Sequence, residues 1–324
     1  MRTRTRCYRD GTLVDEDFPL AEVSEHLALP DSVVWVDLSD PGESDLALLA
    51  GELGLHELAV EDALTLRQRP KLDRYPDHLF LSAYSIDIEP STAKVTTNEI
   101  AAFITDRALV TVHTNGQFDL AAVVNRWDSS PDLARNGVSY LLHGLLDYLV
   151  DGYFEAVEAL DDEIEDLEDQ LFLPNSDQEQ VQRRSFQLRK SLVTLRRIIL
   201  PMREVVNTLL RRDLHLLQDE MGPYFQDVYD HVLRAMEWTE SLRDLATSIL
   251  EANLAIQGNR LNVITKKVTG YAAIIAVPTA ITGFYGQNVP YPGFAQPLGY
   301  YSSAALIVGL SALLYVLFKR NDWI

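Results

Sequence analysis

The sequence predicts an α+β domain at the amino terminus, then long helices, one of which runs on as a stalk into the first of two transmembrane helices. Three observations carry this. Up to about residue 135, short β-rich runs alternate with amphipathic helical ones; beyond it a helical pattern lasts, with breaks, almost to the end; and residues 268–318 hold no Asp, Glu, Lys, Arg or His. A chain of 324 residues has room for about two domains and a real core.

Charge narrows the partners. Asp and Glu number 48 against 28 Lys and Arg, a formal net charge of −20, whereas a phosphate backbone demands clustered positive charge. No nucleic acid is expected as a partner; a cation is the natural one. Cys7, the single cysteine, has no mate for an internal disulfide or a cysteine zinc site, as expected for a reducing compartment. The opening MRTRTRCYRDGTLVDEDF is basic with no apolar run behind it, so no cleavable signal peptide is expected.

Within residues 1–135, VVWVDL (33–38) reads as a buried strand and ESDLALLAGELGL (43–55) as an amphipathic helix. LFLSAYSIDI (79–88), EIAAFIT (99–105) and ALVTVH (108–113) read as strands. This is the expected cytoplasmic α/β domain. Residues 136–222 form a helical region. There, residues 147–180 carry thirteen acidic residues and no Lys or Arg, while 181–212 carry nine basic residues, Arg212 among them, against Glu204 alone. Leu-Pro-Asn-Ser at 173–176 supplies a stop, a turn and a cap between them. The pattern predicts an antiparallel helix pair, acidic on basic, in which summed charge chooses the partner. Individual exposed pairs contribute little.

After Met221-Gly222-Pro223, with proline in a first helical turn, helical periodicity is unbroken as far as Val277. Residues 223–286 are therefore expected as one rod of about 60 residues, roughly 90 Å at 1.5 Å per residue. VTGYAAIIAVPTAITGFYG (268–286) and YYSSAALIVGLSALLYVLF (300–318) each approach the roughly 20 apolar residues that cross a bilayer. Pro278 is tolerable inside a span as a bend. Lys266 and Lys267 precede the first span; Lys319 and Arg320 follow the second and open the basic tail 319–324. By the positive-inside rule both termini are expected in the cytoplasm, with residues 287–299 as an external loop and the protein multi-pass in the cell membrane.

Alternate steps of three and four along the first span pick out Asn262, Thr265, Thr269, Ala272, Ala276, Thr279, Gly283 and Gly286, all small or polar. A 3.5-residue repeat marks one face in a left-handed helix bundle. Two readings are open. The stripe is a close-packing face between membrane helices, which favour small residues, or it lines a water-filled path in which Asn262, Thr265 and Thr279 offer oxygens to a hydrated ion. One chain supplies only two spans, so a pore requires a cyclic oligomer. GFYGQNVPYPG (283–293) lies at the outer end of the stripe, where Asn288 and backbone carbonyls can ring an entrance; as an ordinary turn, its Gly, Asn and Pro need no further reason.

From residue 34 onward the chain resembles the CorA family of divalent-cation channels. The resemblance is carried, in order, by VEDALTLRQRPKLDRYPDHLFL (60–81), VDGYFEAVEALDDEIEDLE (150–168), LRRIILPMREVVNTLLR (195–211), YFQDVYDHVLRAMEW (224–238), PTAITGFYGQN (278–288) and KRNDWI (319–324). It implies a homopentamer in the lipid bilayer, with a cytoplasmic α/β funnel, long stalk helices, pore-lining first spans and a peripheral ring of second spans. Such proteins pass Mg2+, often also Co2+ or Ni2+, down the electrochemical gradient. The family's Gly-Met-Asn after a tyrosine is met here by Tyr285-Gly286-Gln287-Asn288, with Gln in the place of Met. The resemblance assigns to Asn288 the side-chain oxygen that meets the incoming ion, and a ring of amides suits Mg2+ by gripping its hydration shell rather than stripping it. Pore-lining positions carry over as Asn262, Thr265, Val268, Ala272, Ala276, Thr279 and Gly283. Many relatives place bulkier apolar side chains at the positions of Thr265 and Val268, so this chain is smaller and wetter there.

The resemblance also implies regulatory Mg2+ bound between neighbouring cytoplasmic domains. Asp227 carries over as one ligand, the segment holding Asp87 and Glu89 as its partner, and Glu251 as a further candidate. Mg2+ is thus both cargo and regulator, and no organic cofactor is expected. Relatives commonly follow the signature with acidic loop residues, whereas QNVPYPGFAQPLGYY (287–301) has none, which weakens the concentration of cations outside. An alternative on the same fold is a ZntB-like zinc transporter, which also varies the middle signature residue. A membrane-anchored structural coiled coil without transport would instead carry ordinary Leu/Ile packing on the first span. The sequence has no Gly-rich phosphate loop, no His-Glu-x-x-His and no nucleophile elbow, so no enzyme is expected. His26, His56, His78, His113, His143, His215 and His231 are scattered and read as surface or core residues rather than ligands.

Overall fold

The computed structural model describes residues 2–65, 68–89, 92–114, 118, 120–173, 177–211 and 218–324. The chain divides into two units, Met1–Ile249 and Leu250–Ile324. Among the described residues of the first unit, seven strands form one sheet: β1 Arg2–Arg9, β2 Thr12–Glu16, β3 Ser32–Ser39, β4 Lys71–Arg74, β5 Leu79–Glu89, β6 Lys94–Ile104 and β7 Ala108–His113, in the order β2-β1-β3-β7-β6-β5-β4. Only β3 and β7 pair in parallel. The helices are α1 Val23–Leu27, α2 Glu43–Leu53, α3 Glu57–Thr65, α4 Leu120–Asp128, α5 Pro131–Ala134, α6 Gly137–Phe172, α7 Gln178–Leu209 and α8 Gly222–Tyr285, which crosses into the second unit, followed by α9 Pro297–Arg320.

The pleat sends successive side chains to opposite faces, and β3 is buried on both. Val34, Val36 and Leu38 join one core with Leu46 and Leu49 of α2 and Ala59 and Ala63 of α3. Trp35 points the other way, edge-on to Trp127 of α4 with ring centroids 4.8 Å apart, and helix α6 also packs on this side, its Tyr153 hydroxyl donating to the Tyr84 carbonyl at 3.0 Å. That double cover explains the near-continuous apolar run read at 33–38. β1 carries no such signal. Its alternate residues are Arg2, Arg4 and Arg6, yet Arg6 is 5% exposed, with its guanidinium 2.9 Å from Asp128 and 3.2 Å from Glu16. The basic opening is a sheet strand whose buried charge is neutralised by distant acids.

Helices α6 and α7 pack against each other, and their buried faces are apolar. Buried rows at helical spacing, Leu160, Ile164, Leu167 and Leu171 on α6 and Val181, Leu188, Leu192 and Leu195 on α7, make the apolar faces. Acid meets base at Arg184, whose fork spans both oxygens of Glu163 at 2.7 Å; Arg183, Arg189, Lys190 and Arg197 are exposed. Residues 174–176, most of the turn proposed from sequence, lie outside the described residues, as do Arg212 and His215. The cap is Asp177, which accepts from the Glu179 and Gln180 amides at 3.0 and 3.2 Å.

In the first unit α8 buries Phe225, Val228, Val232, Ala235, Thr239, Leu242, Ala246 and Ile249, a row at alternate steps of three and four. It docks on α6 through Trp238, whose indole donates to Asp161 at 3.2 Å, and on α7 through Glu240, which pairs with Arg196. The second unit is an antiparallel hairpin: Gly270 of α8 lies against Phe318 of α9, and the Tyr285 hydroxyl lies 3.3 Å from that of Ser302. Both helices are long and apolar enough to cross a membrane, and of their most apolar windows 6% and 0% is buried. Side chains such as Val268, Tyr271, Ile275, Leu298 and Val308 stay exposed on the chain alone. Helix α9 starts before the apolar run, at Pro297, whose fixed φ suits a first turn.

Candidate functional site

The signature residues form the turn that ends α8. Tyr285 is the last helical residue; Gly286 donates to Thr282 O at 2.8 Å and Gln287 to Phe284 O at 3.3 Å. At Gly286 a Cβ would lie 2.9 Å from Thr282 O, so the closing turn has no room for a side chain. Tyr285, Tyr291 and Phe294 stack edge to face in sequence at 5.0 and 5.3 Å, and the Tyr291 hydroxyl donates to Tyr285 O at 3.2 Å. These rings brace the backbone while Gly286, Gln287 and Asn288 remain exposed. Farther along, Gly293 (φ +90°) and Gly299 touch backbone to backbone, where a Cβ on Gly299 would lie 2.5 Å from Gly293 O. The uncharged turn is built on aromatic packing and glycine contact, and it leaves the Asn288 amide exposed, with no hydrogen-bond partner among the described residues.

The stripe has a definite orientation. On α8 the half-covered or buried residues are Gly270, Ala273, Ile274, Val277, Pro278, Ile281 and Tyr285, the face that meets α9. At about 100° per residue, the row Thr265, Val268, Ala272, Ala276, Thr279 and Gly283 centres roughly 180° from that face. Every member is exposed, as is Asn262 one turn earlier. The Thr279 hydroxyl bonds back to Ile275 O at 3.0 Å, keeping its oxygen on the helix surface.

Among the described residues, none of the four acidic candidates belongs to a set of three metal-capable side chains. Asp227 is on α8 with its side chain 67% exposed, 3.9 Å from the His231 imidazole. Asp87 and Glu89, at the end of β5, are exposed and accept from Asn98 at 2.9 Å and Thr92 at 2.7 Å. Glu251 is exposed on α8 in the second unit. As donors, all four offer hard carboxylate oxygens, which suit Mg2+. Among the described residues the one set of three metal-capable side chains is a different one, Asp147, Asp151 and His231, with ligand atoms within 4.8 Å of one another. Sequence reading passed over it, taking His231 as a surface or core residue. Its only signal was spacing: Asp147 and Asp151 share a face of α6, and His231 stands four residues from Asp227. The Arg126 guanidinium bridges both aspartates, 2.8 Å from Asp151 and in contact with Asp147. Burial works against that charge, but the two aspartates outweigh it and raise the arginine's pKa. The acidic pair is thus half neutralised from within the chain, one guanidinium against two carboxylates.

Residues 30–320 match the sequence model of CorA, the CorA-like Mg2+ transporter protein family. This chain belongs to that family. As a CorA-family divalent-cation transporter it is 30% identical over 314 residues to the cobalt/magnesium transport protein CorA of Thermotoga maritima, covering 95% of this chain and 89% of that one. It is 26% identical over 323 residues to the protein of the same name from Methanocaldococcus jannaschii, covering 98% of each. The complete structure of the CorA magnesium transporter from Methanocaldococcus jannaschii superposes with a TM-score of 0.79 at 24% identity, over 100% of this chain and 99% of that one. The fold is therefore the CorA fold: a mixed-sheet amino-terminal part, a long helix and two apolar helices.

Proposed function

We propose that this chain assembles as a homopentamer in the cell membrane, its first spans enclosing a water-filled path for Mg2+, with Co2+ and Ni2+ as further permeant ions. One observation carries this reading: the small, polar stripe lies opposite the face that α9 covers. A stripe that packed the chain's own second helix would be on the covered face. Repeated around a cyclic axis, Asn262, Thr265, Val268, Ala272, Ala276, Thr279 and Gly283 line the path. Asn288 rings its mouth, with Tyr285, Gly286 and Gln287 shaping the turn beneath it. Lys266, Lys267, Lys319 and Arg320 put both ends on the cytoplasmic side. The names of the relatives, cobalt/magnesium transport proteins, agree with this cargo. Mg2+ held between neighbouring copies by Asp227 with Asp87 and Glu89, and by Glu251, closes the path from inside.

Gln287 and the acid-free loop favour a second reading, a zinc transporter of the same fold. Uptake of Mg2+, Co2+ and Zn2+ into liposomes containing the full chain, with and without a proton gradient, separates the two. Mg2+ is expected to enter without a proton gradient, and Asn288→Ala to abolish its entry. Equal flux in that variant would remove the entrance role; zinc flux that needs protons, with no Mg2+ flux, would favour the second reading.

A further inference from the structure

The residues that follow α9 fold back on the first span. Asn321 donates to Leu317 O at 3.2 Å and Trp323 to Phe318 O at 2.9 Å, with Asp322 between them in the left-handed region at φ 55°. This reversal lays the Trp323 ring flat on Phe318, centroids 5.4 Å apart and planes 12° from parallel, and brings Ile324 to Gly270 of α8. Gly270 is buried on a helix whose neighbouring residues Thr269 and Tyr271 are exposed. A Cβ there would lie 3.0 Å from Ile324 Cγ1, 3.2 Å from its Cδ1 and 3.6 Å from Phe318 Cδ2. The glycine is a notch and the isoleucine fills it. Aspartate is among the few non-glycine residues that take the left-handed conformation readily, and the reversal it allows makes the ring stack and the filled notch possible.

We infer that Trp323 and Ile324 form a clasp that fixes the Lys266–Lys267 end of the first span against the second, and that through Gly270 it positions the pore-lining row. The turn closes the opposite end of the hairpin; the clasp does so here. Because a helix moves as a unit, a shift at the notch displaces Thr269 beside it and Ala272 across the helix, and helix shifts of about 1–2 Å at interfaces are among the changes by which allosteric proteins switch. Ile324 and Trp323 are thus positioning residues, acting through Gly270. The inference rests on the transport reading above.

Full-length protein in liposomes tests it. Gly270→Val fills the notch and Ile324→Ala empties it without threatening the fold. Each is expected to change the initial rate of Mg2+ entry, in the same direction, by about threefold or more, and the double variant to match the larger single effect, because both break one contact. Ile324→Leu is expected to keep the wild-type rate. Additive effects in the double variant, or wild-type flux in Ile324→Ala, would overturn the clasp. A second measurement does not depend on flux: oxidised Gly270→Cys/Ile324→Cys protein is expected to show an intramolecular crosslink, because a Cβ at Gly270 would lie 3.0 Å from Ile324 Cγ1, and failure to crosslink also overturns it. If the wild type passes no Mg2+ while the crosslink forms, the transport reading falls and the contact stands.

Discussion

His78 is 1% exposed, with Tyr75 stacked on it at 4.8 Å between centroids and Phe103 beyond at 6.1 Å, and neither ring nitrogen has a hydrogen-bond partner among the described residues. Burial lowers its pKa; His56 adds to the shift and Asp77 opposes it. The native ring stays neutral where the unfolded chain takes a proton, so this residue costs stability as the pH falls below about 6.5. His113 acts oppositely. Burial is the largest influence and disfavours its charge, but the bond to Asp37 at 3.2 Å, the charges of Asp37 and Asp40 and the Thr114 carbonyl together outweigh it and raise the pKa. Its contribution is complete below about pH 6.5 and is lost as the pH rises through the folded value. His78→Phe should therefore flatten the acid side of the stability curve, measured by denaturant unfolding of the full chain in detergent and followed by Trp35 and Trp127 fluorescence. An unchanged acid slope would assign that limb to another group. Sequence reading placed His78 in the core or at the surface from the scatter of histidines; only the packing of Tyr75 and Phe103 around it reveals the penalty.

Helix α4 approaches α6 at Gly144, where an added Cβ would lie 2.5 Å from Trp127 Nε1 and 2.7 Å from its Cδ1. Trp127 cannot yield easily: it is 1% exposed, donates to Leu141 O at 3.1 Å and packs edge-on against Trp35. Alanine favours a helix interior over glycine by about 0.8–1 kcal/mol, but overpacking costs about 1–3 kcal/mol, so Gly144→Ala should lower the denaturant midpoint. Gly51→Ala in α2, with nothing within 4 Å of the new methyl, should raise it by the glycine entropy term, about 0.4–1 kcal/mol. Two changes of the same kind thus take opposite signs, decided by the neighbouring element. This contrast also marks what was legible in the sequence. Strands β3, β5 and β7 announce themselves as apolar runs because nearly every residue in them is buried on one face or the other, and helices α2, α6, α7 and α8 because their burial follows their period. β1 is hidden by its arginines, β4 is too short and polar to signal, and the β5–β6 hairpin extends through an exposed tip whose Thr96 and Thr97 pair with Asp87 and Ile86 by backbone register. The turn at Tyr285–Asn288 is legible because its residues are consecutive. The Asp147, Asp151 and His231 group is not, because α6 and α8 must fold together before it exists.

At the scale of the whole molecule, the two units pose complementary problems of exposure. The second exposes apolar side chains along nearly all of its hairpin, which lipid on one side and neighbouring copies on the other would cover. The first carries the whole of the acidic excess, net −20 over the chain, because the second holds more basic than acidic residues; in the proposed pentamer, such acidic units would repel one another. On the proposed regulation, a divalent cation shared by carboxylates of adjacent copies would offset that repulsion, and binding energy that depended on closed packing would couple internal Mg2+ to the path. Asp227→Asn removes one ligand charge at nearly constant size. The internal Mg2+ needed to halve influx should rise by about fivefold or more, measured by loading liposomes with graded Mg2+ and recording initial entry, with the oligomer's size unchanged. Asp147→Asn is the control, since Arg126 already pairs with that aspartate, and its half-shut concentration should stay near wild type. The reverse pattern, with Asp147→Asn shifted and Asp227→Asn unmoved, would transfer the sensing ion to the Asp147, Asp151 and His231 group and make Arg126 its competitor.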